Sequence, residues 1–255
     1  MFSSFVMHWD FALILLFFAT AVPILGRRRI QKLLRIERTS KAERLTLYAS
    51  TVVFQWLAAA LILWRSAIHG ISRATLGLGL PNPPLAITLA IVLAALILAN
   101  QLISLHRLAT TPNAPQGILP QLAVKLFPQD NTERVAFFVL VVTVSICEEL
   151  IYRGFAQRVF QDLSRGLVLV GIIGSAVMFA IAHAYQGRRG LISTFIVGLL
   201  FSAVRAWSGT LLATAIAHFT ADLTAGFLAP SRLRTAVAPP AFDHDESETR
   251  GNIKL

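Results

Sequence analysis

The sequence predicts an all-α polytopic transmembrane helical bundle of seven to eight spans. Hydrophobic residues make up 55% of the 255, and the mean hydropathy is +0.66. Charged residues are only 14% of the chain, and they concentrate in two tracts, Arg27–Arg44 and Pro230–Leu255. This distribution excludes a disordered chain, a coiled coil and a secreted disulfide scaffold.

A helix needs about 20 mostly apolar residues to cross a bilayer, and seven runs of the sequence approach that length. In chain order, they are residues 11–26, 45–64, 85–105, 135–151, 167–185, 191–206 and 210–229. No Lys or Arg precedes the first run, and Arg27, Arg28 and Arg29 follow it directly. This flank predicts an uncleaved anchor with its N-terminus outside.

The connections between these runs define the expected topology. The turn-rich stretch Leu76–Pro84 separates the second and third runs. Residues 116–127 are expected to lie along the membrane interface. A further short or re-entrant segment would bring the number of spans from seven to eight. Gln186–Gly190 is short enough to make the fifth and sixth helices antiparallel neighbours. With seven spans, 17 of the 23 Lys and Arg residues fall on the inside, as the positive-inside rule requires.

The net charge of +10 is therefore attributed to cytoplasmic loops and not to nucleic-acid binding. We expect an integral protein of a bacterial plasma membrane with a cytoplasmic C-terminus. Three regions are predicted: N-terminal transmembrane helices with a basic cytoplasmic loop over residues 1–134, a transmembrane core over 135–229 that carries the candidate functional residues described below, and a disordered tail over 230–255. Cys147, the single cysteine, is expected to be a packing residue.

Ionisable side chains inside apolar spans are costly unless they are paired or face a wet cavity, so they are candidates for function. Cys147–Gly154 reads CEELIYRG. Glu149 and Arg153 are four residues apart, share a helix face and are predicted to neutralise each other. Glu148 lies about 100° around the helix and remains available as a general base, because burial of a carboxyl group favours proton uptake.

Two later spans carry further polar side chains. Phe179 and His183 are four residues apart in FAIAH, and His218 and Asp222 are four apart in HFTAD. A single buried histidine is often a satisfied interhelical hydrogen bond. Two histidines, two glutamates, an aspartate and an arginine on three separate spans instead predict convergence on one cavity.

These residues, Glu148-Glu149-x-x-x-Arg153, Phe179-x-x-x-His183 and His218-x-x-x-Asp222, resemble the motifs of the CPBP family. That family includes the type II CAAX prenyl endopeptidases and the bacterial Abi proteins. The resemblance covers about residues 133–229. Any one of these motifs alone is weak evidence for the family, whereas three motifs in the same order on separate membrane helices are a specific signature.

The resemblance implies an intramembrane endopeptidase in which Glu148 and His183 hold and activate a water. His218 and Asp222 correspond to the pair that stabilises the oxyanion, although the family motif has asparagine where this chain has Asp222. An ionised aspartate cannot donate to an oxyanion, so it would orient His218 or act only when protonated. Glu149, Arg153 and Phe179 are expected to support the catalytic residues.

The expected activity is hydrolysis of a peptide bond at or within the membrane, with a membrane-associated peptide or protein as substrate and the lipid bilayer as environment. Catalysis without a metal is favoured, and no HExxH motif is present. The alternative is a zinc protease with His183, His218 and Glu148 as ligands of Zn²⁺. Two further classes remain open: a non-enzymatic scaffold or bacteriocin-immunity protein on the same fold, and a transporter with a buried proton relay.

Overall fold

A computed structural model of the protein describes residues 8–110 and 118–237, and the part of the chain that it describes contains helices and turns with no strand. We number eight helices in chain order. They are α1 Trp9–Arg35, α2 Lys41–Ile68, α3 Pro83–Thr110, α4 Ile118–Leu126, α5 Asn131–Leu163, α6 Val168–Ala182, α7 Gly187–Ser208 and α8 Leu212–Val237. The all-α helical bundle predicted from the sequence is confirmed.

All seven apolar runs lie in helices. Within the described residues, five stretches are long and apolar enough to cross a membrane: Trp9–Arg35, Lys41–Ile68, Pro83–Arg107, Asn131–Leu163 and Ala184–Ser208. Helix α6 is apolar but has only 15 residues. Helix α8 continues to Val237, eight residues into the tail that was predicted to be disordered from Pro230, and residues 238–255 lie outside the described range.

Polar contacts at one end of the bundle connect α2 to α5. Ser40 and Glu43 form a reciprocal capping box at the start of α2, which satisfies backbone N–H groups that have no partner within the helix. Arg44, one residue later, donates to Glu133 at 2.7 Å, and both side chains are buried. Such a buried pair depends on both partners, because removal of one leaves an uncompensated charge.

The interfacial segment predicted at residues 116–127 contains α4, although residues 116 and 117 lie outside the described range. The Lys125 ammonium donates to the backbone oxygens of Leu33, Leu34 and Ile36. These carbonyls belong to the end of α1, where a helix has no further N–H groups to bond them. Lys125 therefore caps α1 and holds α4 against it.

Helices α6 and α7 are antiparallel neighbours, as predicted, but the reversal comes earlier than Gln186–Gly190. A short 3₁₀ turn at Ala184–Gln186 reverses the chain, and α7 already begins at Gly187. The backbones approach closely where Gly198 faces Ala176, because a Cβ on Gly198 would lie 3.1 Å from the Ala176 Cα. Small residues at this contact therefore allow the two helices to pack closely.

The main hydrophobic core surrounds the middle of α5. Phe11, Ile62 and Phe155 are fully or almost fully buried there. Leu76, from the turn-rich stretch between α2 and α3, is also part of this core, and its carbonyl oxygen lies 2.8 Å from where a Cβ on Gly154 would be. Only glycine allows this loop to pack against α5. Cys147 is buried and unpaired, in agreement with its predicted packing role.

Candidate active site

The glutamates lie at the centre of one long helix. Glu148 is 17 residues after Asn131 and 15 before Leu163, the two ends of α5. The segment Glu149–Ala156 is π-helical, a local widening of the helix that is frequent at functional sites. The apolar run predicted from the sequence, residues 135–151, would end just after Glu148 and leave it close to one membrane surface. The continuous 33-residue helix instead places Glu148 near its middle.

Glu149 and Arg153 form the ion pair that their spacing predicted. Arg153 donates to Glu149 Oε1 at 2.9 Å, and neither side chain is exposed. The Arg153 guanidinium carbon lies 4.0 Å from the centre of the Phe179 ring, a distance at which a cation is attracted to an aromatic face. Phe179 thus contacts Arg153 from α6, and the three residues form one buried unit.

His218 joins this unit from α8. Its Nδ1 lies 3.0 Å from Glu149 Oε1, and its Nε2 lies 3.6 Å from Asp222 Oδ2. The Glu149 carboxylate accepts from Arg153, so it also accepts from His218 Nδ1–H. His218 is almost completely buried, whereas Asp222 is half-exposed, with 40% of its side chain accessible. Asp222 is therefore the most exposed member of this group.

Glu148 has different partners. Gln55, on α2, donates from Nε2 to Glu148 Oε1 at 2.9 Å. The other oxygen, Oε2, is buried without a hydrogen bond and lies 4.0 Å from His183 Nε2. This separation is too long for a direct hydrogen bond, and it is short enough for one water to bond both atoms.

The orientation of His183 defines its tautomer. The residue follows the last residue of α6, and its Nδ1 lies 2.9 Å from the Phe179 carbonyl oxygen. A carbonyl only accepts, so Nδ1 carries the hydrogen and Nε2 of the neutral ring has a free lone pair. The atom that faces Glu148 is therefore an acceptor for a proton of water.

A cavity of about 410 Å³ contains Glu148 and His183. Its wall is mainly apolar, with Phe17, Phe18 and Phe54 among its side chains. From Gln55 and Glu148, it extends along α1 and α2 to Arg29 and Leu47, close to the basic segment Arg27–Arg44. The cavity thus extends toward the end of the bundle that the charge distribution places inside.

The polar side chains do not form a metal site. No group of three or more His, Cys, Asp and Glu side chains within residues 8–110 and 118–237 is arranged to hold a metal ion. Glu149 is occupied by Arg153 and His218, and His183 presents only Nε2. Among the described residues, the donor set of the zinc alternative, His183, His218 and Glu148, is not grouped as a metal site.

The sequence-predicted residues are thus brought together, in two linked groups. Glu149, Arg153, Phe179, His218 and Asp222 form one group, and Glu148 and His183 the other. Sequence reasoning missed Gln55, which lies within the apolar stretch TVVFQWLAAA. An amide inside a spanning helix needs a polar partner, so a search for uncharged polar residues in the spans would have identified it.

Residues 130–224, more than a third of the chain, match the family model described as type II CAAX prenyl endopeptidase Rce1-like. This segment is similar to that family. The resemblance predicted from the three motifs is confirmed, and together with the five apolar helices it identifies an integral membrane protein.

One curated relative is similar to part of the chain. An uncharacterized 24.3 kDa protein of Escherichia coli is 31% identical over 107 residues, which cover 41% of this chain and 49% of that protein. The chain thus spans about half the length of this relative. No solved structure matches the chain significantly.

Proposed function

We propose that the protein is an intramembrane endopeptidase that hydrolyses a peptide bond with a water held by Glu148 and His183. The observation that carries the proposal is that Glu148 Oε2 has no hydrogen-bond partner and lies 4.0 Å from His183 Nε2, in a cavity that both residues line. The Rce1-like match of residues 130–224 supports it. The substrate is a peptide or protein associated with the membrane.

The first step is attack of water on the scissile carbonyl. Glu148 accepts one proton of the water while His183 Nε2 accepts a hydrogen bond from the other, and the water oxygen bonds to the carbonyl carbon. The carbonyl oxygen becomes an oxyanion. His218, in its cationic form, donates from Nε2–H to this oxygen, while its Nδ1–H stays on Glu149.

The second step is cleavage of the carbon–nitrogen bond. The tetrahedral intermediate collapses, the oxyanion re-forms a carbonyl and Glu148 returns its proton to the departing amine. The products are a carboxylic acid and a free amine, and Glu148 is again a carboxylate. Every transferred proton comes from the water, and the proposed cycle uses no metal or other cofactor.

The decisive experiment compares wild-type protein with Glu148→Gln in detergent, on a diverse peptide library analysed by mass spectrometry for new termini. The amide keeps the shape of the side chain and removes the base, so cleavage should fall by at least about 100-fold. Glu37→Gln, an exposed carboxylate away from the cavity, is the matched control and should cleave as wild type does.

Two additions separate this proposal from its alternatives. A chelator should leave cleavage unchanged, whereas its loss would indicate a zinc protease. Equal products from wild type and Glu148→Gln would overturn the assignment of the base. If neither folded protein cleaves any peptide of the library, a non-enzymatic role as a scaffold or bacteriocin-immunity protein is favoured.

A further inference from the structure

We infer that Gln55, on α2 and outside the Rce1-like segment, is a positioning residue for Glu148. The inference rests on the proposed function and adds a residue that the three motifs do not include. It starts from one contact, the 2.9 Å hydrogen bond from Gln55 Nε2 to Glu148 Oε1.

The chemistry of the two groups defines which atom of Gln55 faces Glu148. A carboxylate that is ready to take a proton has only acceptor atoms, so the amide NH₂ must point to it and the amide oxygen must point away. The Gln55 side chain is 7% exposed, and an amide so deep in a membrane protein is not held by bulk water. Its position is defined by Glu148.

This bond leaves the second Glu148 oxygen available. With Oε1 bonded to Gln55, Oε2 is the oxygen near His183 Nε2. Two buried atoms of this pair, Gln55 Oε1 and Glu148 Oε2, have no hydrogen-bond partner, and both residues line the cavity. Buried unpaired polar atoms that face a cavity are where a water or a substrate amide binds. Gln55 Oε1 is thus placed to accept a proton of the attacking water or a substrate N–H.

Several other ionisable groups, both acidic and basic, surround Glu148. Glu149 and Arg153 lie on its own helix, His183 follows α6, and His218 lies on α8. The other titratable groups that interact with Glu148 are Cys147, Tyr152, Tyr185 and Asp222. Gln55 is the group that bonds the carboxylate from α2, and none of the others replaces this contact.

Gln55→Leu tests the inference, because leucine fills similar space without a donor. We expect kcat to fall about 10–100-fold with KM almost unchanged, as is usual when a group that orients a reactive side chain is removed. Loss of the donated hydrogen bond makes the ionised form of Glu148 less stable. The acidic limb of the pH–rate profile should therefore move to higher pH.

Gln157→Leu is the matched control. Gln157 is also buried, donates to the backbone oxygen of Ser202 at 3.0 Å and has an unpaired Oε1, but it does not line the cavity. Each variant loses one buried hydrogen bond donated by a side-chain amide, so both proteins should be less stable. Only Gln55→Leu should move the acidic limb.

Gln55→Glu keeps the test decisive if the leucine variant does not fold. A second carboxyl beside Glu148 makes it harder for both to ionise, so the acidic limb should move further to higher pH. Unchanged kcat and an unchanged limb in a folded, active Gln55 variant would overturn the inference. Failure of the proposed function is seen separately, as cleavage that survives Glu148→Gln.

Discussion

At the scale of single residues, Asp222 occupies the position where the family motif has asparagine. Its position next to His218 indicates its role. Its Oδ2 lies 3.6 Å from His218 Nε2, while Glu149 holds Nδ1 of the same ring. The imidazole is therefore hydrogen-bonded at Nδ1, while Nε2 lies beside the Asp222 carboxylate without a hydrogen bond to it. We interpret Asp222 as a residue that orients His218, since an ionised carboxylate cannot itself donate to an oxyanion.

Asp222→Asn should retain activity, because the amide keeps an acceptor oxygen next to His218 and its NH₂ adds a hydrogen-bond donor at the same position. We expect kcat within about tenfold of wild type for this variant, and a loss of about 10–100-fold for Asp222→Leu. Steady-state kinetics on one cleaved peptide measures both. Equal loss in the two variants would instead show that the negative charge of Asp222 is essential.

At the scale of elements, the distance between α6 and α7 determines where His183 lies. Gly198 on α7 faces Ala176 on α6, and Ser202 donates to Ser175 at 3.3 Å. Both contacts hold α6, whose end carries His183. Close approach through small residues is the usual way in which membrane helices pack.

Gly198→Leu should force the two helices apart. Overpacking costs about 1–3 kcal/mol, so the melting temperature in detergent should fall, and cleavage should fall with it as His183 moves away from Glu148. Ser193→Leu places the same side chain at an exposed position of the same helix and should change neither property. A Gly198→Leu protein with wild-type melting and activity would contradict the close contact.

At the scale of the whole molecule, the distribution of positive charge predicts the orientation. Eight Lys and Arg residues lie within Arg27–Arg44, and the catalytic cavity extends toward that end of the bundle. The positive-inside rule predicts that this end faces the cytoplasm. The site would then receive its substrate from the cytoplasmic half of the bilayer.

Single-cysteine labelling tests this orientation, since Cys147 is buried and is the only cysteine. In a Cys147→Ala background, Arg38→Cys should react with a membrane-impermeant maleimide only in inside-out vesicles. Arg73→Cys, at the opposite end of α2, should react only in right-side-out vesicles. The reverse pattern would place the cavity on the outside.

The sequence by itself determined the helices and the local pairs. Apolar length identifies a spanning helix without reference to its neighbours, and the spacing of Glu149 and Arg153 places them on one face in any helix. The three motifs also predicted that these side chains lie close together, because ionisable side chains are too costly in lipid to occur there without partners.

Only the tertiary structure decided how these residues meet. Gln55 and Glu148 are 93 positions apart, and no local pattern predicts which of the spanning helices reaches Glu148. The division of roles between the two histidines, with His218 on Glu149 and His183 near Glu148, likewise depends on how α6 and α8 pack against α5. Periodicity describes the face of one helix, whereas a site built from four helices is defined by their packing.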